Sequence, residues 1–417
     1  MGISIVNNSK YLLNALANEN FNLERFVDEI KPALRKKIEF NESNDEYDFT
    51  GFNDTLILCH YLYRDTHVNK KRGKADITKE TYRKVIVKFI SDCYEYGEEI
   101  GLDIKNPIYL EQNEFSLFKS LGKRHMQRYV DWLNTKSPYV LKNGAYMPAS
   151  LAQKVTILKG FFKKLYEWQY ISTPIHLGFQ STTLTEADRP NRDAGATHVK
   201  YLLGLFEDLG HIPMFTIIHV LTTTGIRNSE FCRLKVGDVA YDSINQCFYL
   251  NIIAKGSKLR QIPLRDKTLK SINLFRHARG LKPFLDVAKL DPNAPLFTTN
   301  TGGPFNSSYL AKYFQRQISA LPSDKRDELR DIFSYKERED PLDENSPIIN
   351  KEIKITPHLF RHAFAIISSQ SNIELHIISQ SLGHENVQTT KIYLEKVMAI
   401  ESHAINSWNQ DLFGDYI

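Results

Sequence analysis

The sequence predicts an α+β fold that is mainly helical and carries one small β-hairpin. Apolar residues recur at three- and four-residue steps in many segments, which is the period of helices with one buried face. Alternation of polar and apolar residues is confined to two short runs, residues 247–253 and 261–264, on either side of a Lys-Gly-Ser turn. Two such runs around a turn are typical of a β-hairpin.

Four segments in the first 180 residues have the helical spacing: residues 54–63, 78–99, 123–134 and 149–170. In the last of them, Val155, Leu158 and Phe162 form the apolar stripe, and lysines occupy other faces. A stripe of this kind packs against neighbouring helices. We therefore expect a small helical domain with a basic side.

The second half of the chain follows residues 180–195, which are poor in apolar residues and rich in turn-forming ones, as in a linker. Residues 198–209 and 212–223 again have helical spacing, and the hairpin comes next. The remainder is predicted to be predominantly helical. Residues 322–354 are charged and poor in hydrophobic residues, so we expect an exposed loop with a short helix there.

Length and composition narrow the class of protein. A chain of 417 residues, 42% hydrophobic and 25% charged, is expected to form about two or three globular domains. It has no uninterrupted apolar run of about 18 residues, as a membrane helix needs, and its N-terminus lacks the features of a signal peptide. The cysteines form no CxxC pair, which predicts reduced thiols in the cytoplasm and no zinc site. They are Cys59, Cys93, Cys232 and Cys247.

The positive charge is unevenly distributed. The net charge is only +5, but residues 119–168 hold ten Lys or Arg against two Asp or Glu, and residues 1–50 have a net charge of −3. A local excess of this size attracts a polyanion, although a solvated helix face would look the same. The candidate DNA contacts in this segment are Arg124, Arg128, Lys154, Lys159 and Lys163.

Four runs in the second half carry the candidate chemistry. They are TGIRNSEFCRLKVGDV, AKGSKLRQIPL, HLFRHAFA and LGHENVQTTKIYLE. Taken singly, Arg227 is explained by an ion pair, His384 by a helix cap and Tyr393 by packing. Their order and contexts together resemble the tyrosine recombinases of the lambda-integrase family, over roughly residues 150–396.

The resemblance implies a set of phosphate-binding residues. Arg227 and Arg361 would bind the non-bridging oxygens of the scissile phosphate, and His358 lies three residues before Arg361. His384 would support the phosphate by hydrogen bonding, and Glu230 would orient the site. Planar guanidiniums suit this role because they bind phosphate oxygens in pairs.

The resemblance also implies a nucleophile and a general acid. Tyr393, nine residues after His384, would attack the phosphate, and Lys255 would protonate the departing 5′ oxygen. Lys258 lies in the same turn and is an alternative to Lys255 and a further DNA contact. A covalent phosphotyrosine conserves the bond energy, so no cofactor, ATP or metal is expected.

The implied architecture is a DNA clamp made of a helical core-binding domain and a catalytic domain. The predicted boundaries are an N-terminal extension, a helical domain, a linker and a catalytic domain at residues 1–50, 51–180, 181–195 and 196–417. The extension is either an arm-type DNA-binding module or a protein-contact segment. The implied partner is double-stranded DNA with an inverted-repeat core site, bound by a dimer on each site and a homotetramer overall. Residues 399–413 would form a partner-contact helix.

Two other classes of function stay open on the sequence. A type IB topoisomerase-like or telomere-resolving enzyme would use the same chemistry without exchanging partners. A catalytically silent DNA-binding regulator would keep the fold, but DNA binding alone does not require Tyr393. A metal-dependent nuclease is a more distant alternative, which activity in EDTA would exclude.

Overall fold

The computed structural model describes residues 23–65, 76–102, 116–180, 184, 193–253, 259–284, 290–339, 345–391 and 394, with side chains from residue 31 onward. The chain divides into two compact units, Met1–Pro190 and Asn191–Ile417. In the described ranges, no helix is both long and apolar enough to cross a membrane.

The first unit is helical throughout its described part. Its helices are α1 Leu23–Ser43, α2 Asp54–Tyr63, α3 Asp76–Glu95, α4 Gly97–Ile100, α5 Leu117–Ser120, α6 Lys123–Thr135, α7 Pro138–Asn143 and α8 Pro148–Glu167, followed by a 3-10 turn at Ile175–Gly178. The four helices expected from the spacing are confirmed as α2, α3, α6 and α8. The segment expected at 78–99 is interrupted after Glu95, and its last turn forms the separate helix α4.

A buried carboxylate ties distant segments of the first unit together. Asp54, at the start of α2, accepts hydrogen bonds from Ser116 Oγ at 2.5 Å, Tyr170 Oη at 2.8 Å and the backbone N–H of Phe118 at 3.1 Å. Aromatic rings fill the surrounding core, and Phe161 and Phe162 are fully buried. Because a buried carboxylate is costly without partners, these bonds favour one arrangement of the three segments.

The second unit is built around an apolar helix. Its helices are α9 Ala196–Asp208, α10 Ile212–Thr224, α11 Asn228–Phe231, α12 Asp266–Ala278, α13 Ser307–Ser319, α14 Ser323–Ile332, α15 Pro357–Gln370 and α16 Leu375–Leu382. Helix α10 packs against α9, α12 and α15. Its Ile217, Ile218 and Leu221 are fully buried. The helices expected at 198–209 and 212–223 are confirmed as α9 and α10.

The predicted hairpin belongs to an antiparallel sheet of three strands. The strands are β1 Val239–Asp242, β2 Cys247–Ile253 and β3 Leu259–Leu264, in the order β1-β2-β3. Ile252 pairs with Arg260, and Leu250 pairs with Ile262. Since side chains alternate between the two faces of a sheet, Arg260 lies on the same face as the buried Ile262.

The charged segment 322–354 differs from the expected loop with a short helix. It contains the helix α14 and also a two-stranded hairpin, β4 Ser334–Arg338 and β5 Ile348–Glu352. Phe333 and Ile353, at the base of this hairpin, are buried and joined by a backbone hydrogen bond of 2.7 Å. The strands were not predicted because their own side chains are mostly polar; Tyr335 of β4 packs against the core beside the two flanking residues.

Candidate active site

Two helices of the second unit end at glycines whose neighbouring carbonyls face the candidate site. Helix α10 ends at Gly225 (φ 60°) and α16 ends at Gly383 (φ 66°). The left-handed conformation at a helix C-terminus favours glycine because it has no Cβ. A Cβ on Gly225 would also lie 2.9 Å from the ring of Phe364. Carbonyls at helix C-termini carry partial negative charge and attract cations.

Arg361 is held between these two helix ends. Its Nη1 donates to the carbonyl oxygen of Gly225 at 2.6 Å, and its Nη2 donates to that of Leu382 at 2.7 Å. The side chain is almost fully buried, with 1% of the residue exposed. The two hydrogen bonds fix the guanidinium plane, so its orientation is set before any ligand binds.

Arg227 and Arg260 share one carboxylate, that of Glu230. Arg227 donates to Glu230 Oε1 through Nη1 at 2.9 Å and to Oε2 through its backbone N–H at 2.8 Å. Arg260 Nη2 donates to Oε2 at 3.0 Å. The second Nη of Arg227 reaches the carbonyl of Gly383 at 3.2 Å. The exposed fractions of the Arg227, Arg260 and Glu230 side chains are 33%, 10% and 2%.

The carboxyl group of Glu230 is held in its charged form. Burial alone would raise its pKa, but the hydrogen bond from the backbone of Arg227 and the charges of Arg260 and Arg227 outweigh burial and lower it. A buried carboxylate that stays ionised is an effective partner for two cations. Glu230 therefore holds both guanidiniums in place; its predicted role in orienting the site stays a prediction.

His384 lies close to this group of arginines. Burial, and after it the charges of Arg361, Arg227, Arg260 and His358, lower its pKa from 6.5 to about 4. One ring nitrogen, Nδ1, is 2.7 Å from Thr390 Oγ1. At neutral pH the imidazole is therefore neutral in the unliganded protein, able to donate or accept a hydrogen bond without adding charge.

His358 begins the helix that carries Arg361. It follows Pro357 in the first turn of α15 and is half-buried. Its ring lies 4.8 Å from that of His362, one helical turn later, in an edge-to-face arrangement. His358 is also among the groups whose charge acts on His384, so both predicted histidines belong to one cluster with the arginines.

Arg227, Arg260 and His384 border an open cleft of about 690 Å³. Its walls come from the start of α11, the strand β3 and the end of α16. The described residues that line it are Arg227, Leu259, Arg260, Gln261, Gln380, Ser381, Gly383, His384, Glu385, Asn386 and Thr389. Two arginines from separate sequence motifs line this cleft, and such a preorganised positive site suits a phosphate group.

Three predicted site residues lie outside the described ranges. They are Lys255 and Lys258, which lie in the sequence between β2 and β3, and Tyr393, which comes after α16. Their roles therefore stay predictions. The partner-contact helix expected at residues 399–413 also lies outside the described ranges.

The candidate DNA contacts of the first unit differ in their surroundings. Lys159 and Lys163, on α8, act with Lys123 on His176, whose pKa is lowered by burial first and by these lysines next. We call Lys123, Lys159 and Lys163 the lysine cluster. Lys154 lies instead over the ring of Tyr146, with Nζ 5.3 Å from its centroid.

The two predicted arginines of α6, Arg124 and Arg128, are exposed. Arg128 donates to the carbonyl oxygen of Gly101 at 2.9 Å, and Arg124 Nε contacts His125 at 3.3 Å. Both guanidiniums therefore keep N–H groups in solvent.

Arg260 was not predicted as a site residue, although it lies inside one of the four motifs. The alternation of residues along β3 indicates that Arg260 faces the core. Arg260, Ile262 and Leu264 share one face of the strand, and Ile262 and Leu264 are buried. An arginine at a core-facing position needs a charged partner, which here is Glu230. Gly383 and Thr390 were likewise missed because their contacts depend on the tertiary fold.

Comparison with known proteins agrees with this geometry. Residues 198–399 match the phage integrase family. The tyrosine recombinase XerD of Chlamydia pneumoniae is 26% identical over 182 residues, covering 42% of this chain and 46% of that protein. A tyrosine recombinase of Agathobacter rectalis is 22% identical over 346 residues, covering 79% of this chain and 91% of its own. The chain thus spans about half of the first relative and most of the second.

A solved structure extends the similarity to the fold. The XerH site-specific recombinase, bound to a palindromic difH substrate in a post-cleavage complex, superposes with a TM-score of 0.52. It is 17% identical, and the match covers 95% of this chain and 94% of that one. The match over residues 198–399 places this part of the chain in the phage integrase family, and the superposition shows that the fold is shared with that recombinase.

Proposed function

We propose that this protein is a site-specific DNA recombinase that cuts and rejoins DNA through a 3′-phosphotyrosine intermediate. The observation that carries the proposal is the convergence of Arg227 and Arg260 with His384 on one cleft, around the buried carboxylate of Glu230, with the buried Arg361 near His384. The family match of residues 198–399 supplies the class of reaction, and the cleft supplies a place for the phosphate.

In this proposal the arginines bind the scissile phosphate. Attack on a phosphodiester increases negative charge on its non-bridging oxygens, and preorganised cations stabilise that charge. Arg361 is immobilised by two carbonyls and Arg227 by Glu230, so little reorganisation is needed at the transition state. His358 and His384 contribute hydrogen bonds to the same phosphate.

The covalent step exchanges one phosphodiester bond for another. The phenol oxygen of Tyr393 forms a bond to phosphorus while the bond from phosphorus to the 5′ oxygen breaks. The tyrosine releases its hydroxyl proton to water, and Lys255 donates a proton to the 5′ oxygen and is reprotonated by water. A phenol has a pKa of about 10, and nearby cations lower the pKa of such a group. The reverse reaction reseals the strand, so neither ATP nor metal is consumed.

DNA binding is proposed to use both units. The lysine cluster and Arg124 of the first unit would contact the DNA backbone, whose affinity for cations is independent of sequence. We retain the boundaries 51–180 for a core-binding domain, 181–195 for a linker and 196–417 for a catalytic domain, with residues 1–50 as an extension.

Recombination between two sites is proposed to require four protomers. A dimer would occupy each inverted-repeat site, and two such dimers would form a homotetramer, as the family resemblance implies. Mass measurements of the protein on duplexes with one and with two half-sites would test this, with two protomers expected only on the second duplex.

Covalent trapping tests the proposed chemistry. Nicked suicide duplexes drawn from the DNA that flanks the gene are incubated with the protein in EDTA, and adducts are detected after denaturation. We expect an adduct with the wild-type protein and none with Tyr393→Phe. Tyr241→Phe is the matched control, because Tyr241 is an exposed tyrosine of the same unit, and it should form adducts normally.

The other outcomes distinguish the remaining classes of function. Adduct formation followed by resealing without strand exchange between duplexes would favour a topoisomerase-like or telomere-resolving enzyme. Binding of a fragment without any adduct would favour a silent regulator. Cleavage that disappears in EDTA would contradict a tyrosine mechanism altogether.

A further inference from the structure

Arg260 has more donors than its partner Glu230 uses. Its Nη2 donates to Glu230 Oε2 at 3.0 Å. Its Nε and Nη1 are buried and have no hydrogen-bond partner among the residues that the structure describes. With 10% of its side chain exposed, the guanidinium is largely removed from water, and unsatisfied buried donors of a charged group are costly.

The neighbouring backbone packs closely against one of these donors. Gly383 has φ 66°, and a Cβ at this position would lie 2.6 Å from Nη1 of Arg260. Any side chain here would displace the guanidinium. The glycine therefore permits a close approach of the end of α16 to Arg260, and both residues line the cleft with Arg227 and His384.

Pairing with Glu230 alone does not explain this arrangement. Glu230 already accepts two hydrogen bonds from Arg227, so one carboxylate faces two guanidiniums and the group keeps a net positive charge. Burial lowers the pKa of Arg260, and Glu230 acts in the opposite direction. Arg260 lines the cleft, so a second anion that enters the cleft would balance the charge and, after a shift of the guanidinium, satisfy its donors.

We infer that Arg260 is a third phosphate-binding guanidinium of the cleft, which contacts the DNA phosphate through the donors that Glu230 does not use. The inference rests on the proposed function for the identity of the anion. It adds a direct ligand of the reacting group to the residues expected from the four motifs.

Phosphate binding can be measured without DNA cleavage. The probe is inorganic phosphate, compared with chloride at equal ionic strength, and the readout is the thermal midpoint of unfolding, since a ligand that binds the folded state raises it. We expect phosphate to raise the midpoint of the wild-type protein and of Tyr393→Phe, and Arg260→Met to lose most of that rise. Arg326→Met, an exposed arginine of α14, is the matched control.

Arg260→Lys serves as a second variant if the methionine variant does not fold. It keeps the charge beside Glu230 and should retain only part of the phosphate-dependent rise. No rise in the wild-type protein, or the full rise in Arg260→Met, would overturn the inference. Because this assay involves no strand cleavage, its result is independent of whether Tyr393 is the nucleophile.

A methylphosphonate in place of the phosphate that is attacked in the trapping assay distinguishes direct contact between Arg260 and the phosphate from an indirect effect of Arg260 through Glu230. This group replaces one charged non-bridging oxygen with a methyl group. If Arg260 binds the phosphate, Arg260→Met should slow adduct formation about 10- to 100-fold on the natural phosphate and several times less on the methylphosphonate. An equal slowing on both substrates would mean that Arg260 only positions Glu230 and Arg227, and would refute the direct interaction.

Discussion

The protein contains two basic regions that hold their charges in different ways. At the cleft of the second unit, Arg227 and Arg260 are fixed by a buried carboxylate, and the neighbouring, buried Arg361 is fixed by carbonyls at helix ends. In the lysine cluster of the first unit, the ammonium groups come from α6 and α8, and Lys163 is paired weakly: it is 4.0 Å from Glu167 and 63% exposed.

This difference predicts different roles for the two regions: the cleft would act in the cleavage reaction, and the lysine cluster would attract the DNA. Fixed guanidiniums can match the geometry of a transition state because their positions are set in advance. Exposed lysines attract the DNA backbone through their charge, and salt screens this attraction. We therefore expect substitutions in the cleft to change the rate of cleavage, and substitutions in the lysine cluster to change affinity and its salt dependence.

The largest effect is expected for Arg227→Lys. The variant keeps the positive charge but loses the planar pair of donors, so adduct formation should slow by about 100- to 1000-fold. Affinity for the same duplex should change by less than about threefold, because the charge is retained. Trapping rates and binding isotherms measured side by side would test this. A loss of affinity as large as the loss of rate would remove the distinction between the two regions.

The second largest effect is expected on the free energy of unfolding. Glu230→Gln leaves an acceptor oxygen but removes the charge between Arg227 and Arg260, so the free energy of unfolding should fall by about 2–3 kcal/mol, near the lower end for a broken buried ion pair. Denaturant unfolding provides the measurement. Glu207→Gln, on an exposed position of α9, is the control and should be nearly neutral. An equally small effect of both variants would show that the carboxylate is not needed.

A smaller effect is expected in the lysine cluster. Lys159→Ala/Lys163→Ala should weaken DNA binding several-fold at low salt and reduce the slope of log affinity against log salt by about 1 for each phosphate that the variant no longer neutralises. The rate of adduct formation at saturating protein should stay unchanged. The matched control is Lys325→Ala/Arg326→Ala in α14, which also removes two positive charges. The same slope in both double variants would exclude the cluster from the DNA interface.

The smallest effect concerns the protonation of His384. Its pKa of about 4 lies below the ordinary 6.5, so the stability that its neutral form contributes is complete above pH 6.5 and is lost as the pH falls through 4. NMR titration of the imidazole, assigned with His384→Asn, should give this low value in the free protein. Bound DNA should raise it, since a phosphate offsets the arginines. An unchanged pKa on DNA would place the phosphate elsewhere.

Much of the architecture is readable from the sequence. The apolar stripes of α2, α6, α8 and α10 predict helices within a few residues of their bounds, because a buried face imposes its period directly. The alternation of β2 and β3 is equally local. The hairpin of β4 and β5 was missed, since its strands are polar and pair through the backbone.

The residues of the candidate site likewise divide into those that the sequence predicts and those that were missed. The order of the four motifs identifies Arg227, His358, Arg361 and His384 as candidates, because each lies in a characteristic local run. Arg260 was not singled out, since an arginine in a strand is usually solvated, and its importance depends on a carboxylate thirty residues earlier in the chain.

The helical character of the chain, its class of fold and the residues that carry the candidate chemistry all follow from the order of amino acids. These properties depend on periodicity and on local motifs, which can be recognised in the sequence without the structure. How the charges are held follows only from the folded arrangement. The fold brings the ends of α10 and α16 to Arg361, places Glu230 between Arg227 and Arg260, and lets Gly383 approach a buried guanidinium. Hydrogen bonds and burial depend on distances through space, which spacing along the chain does not specify.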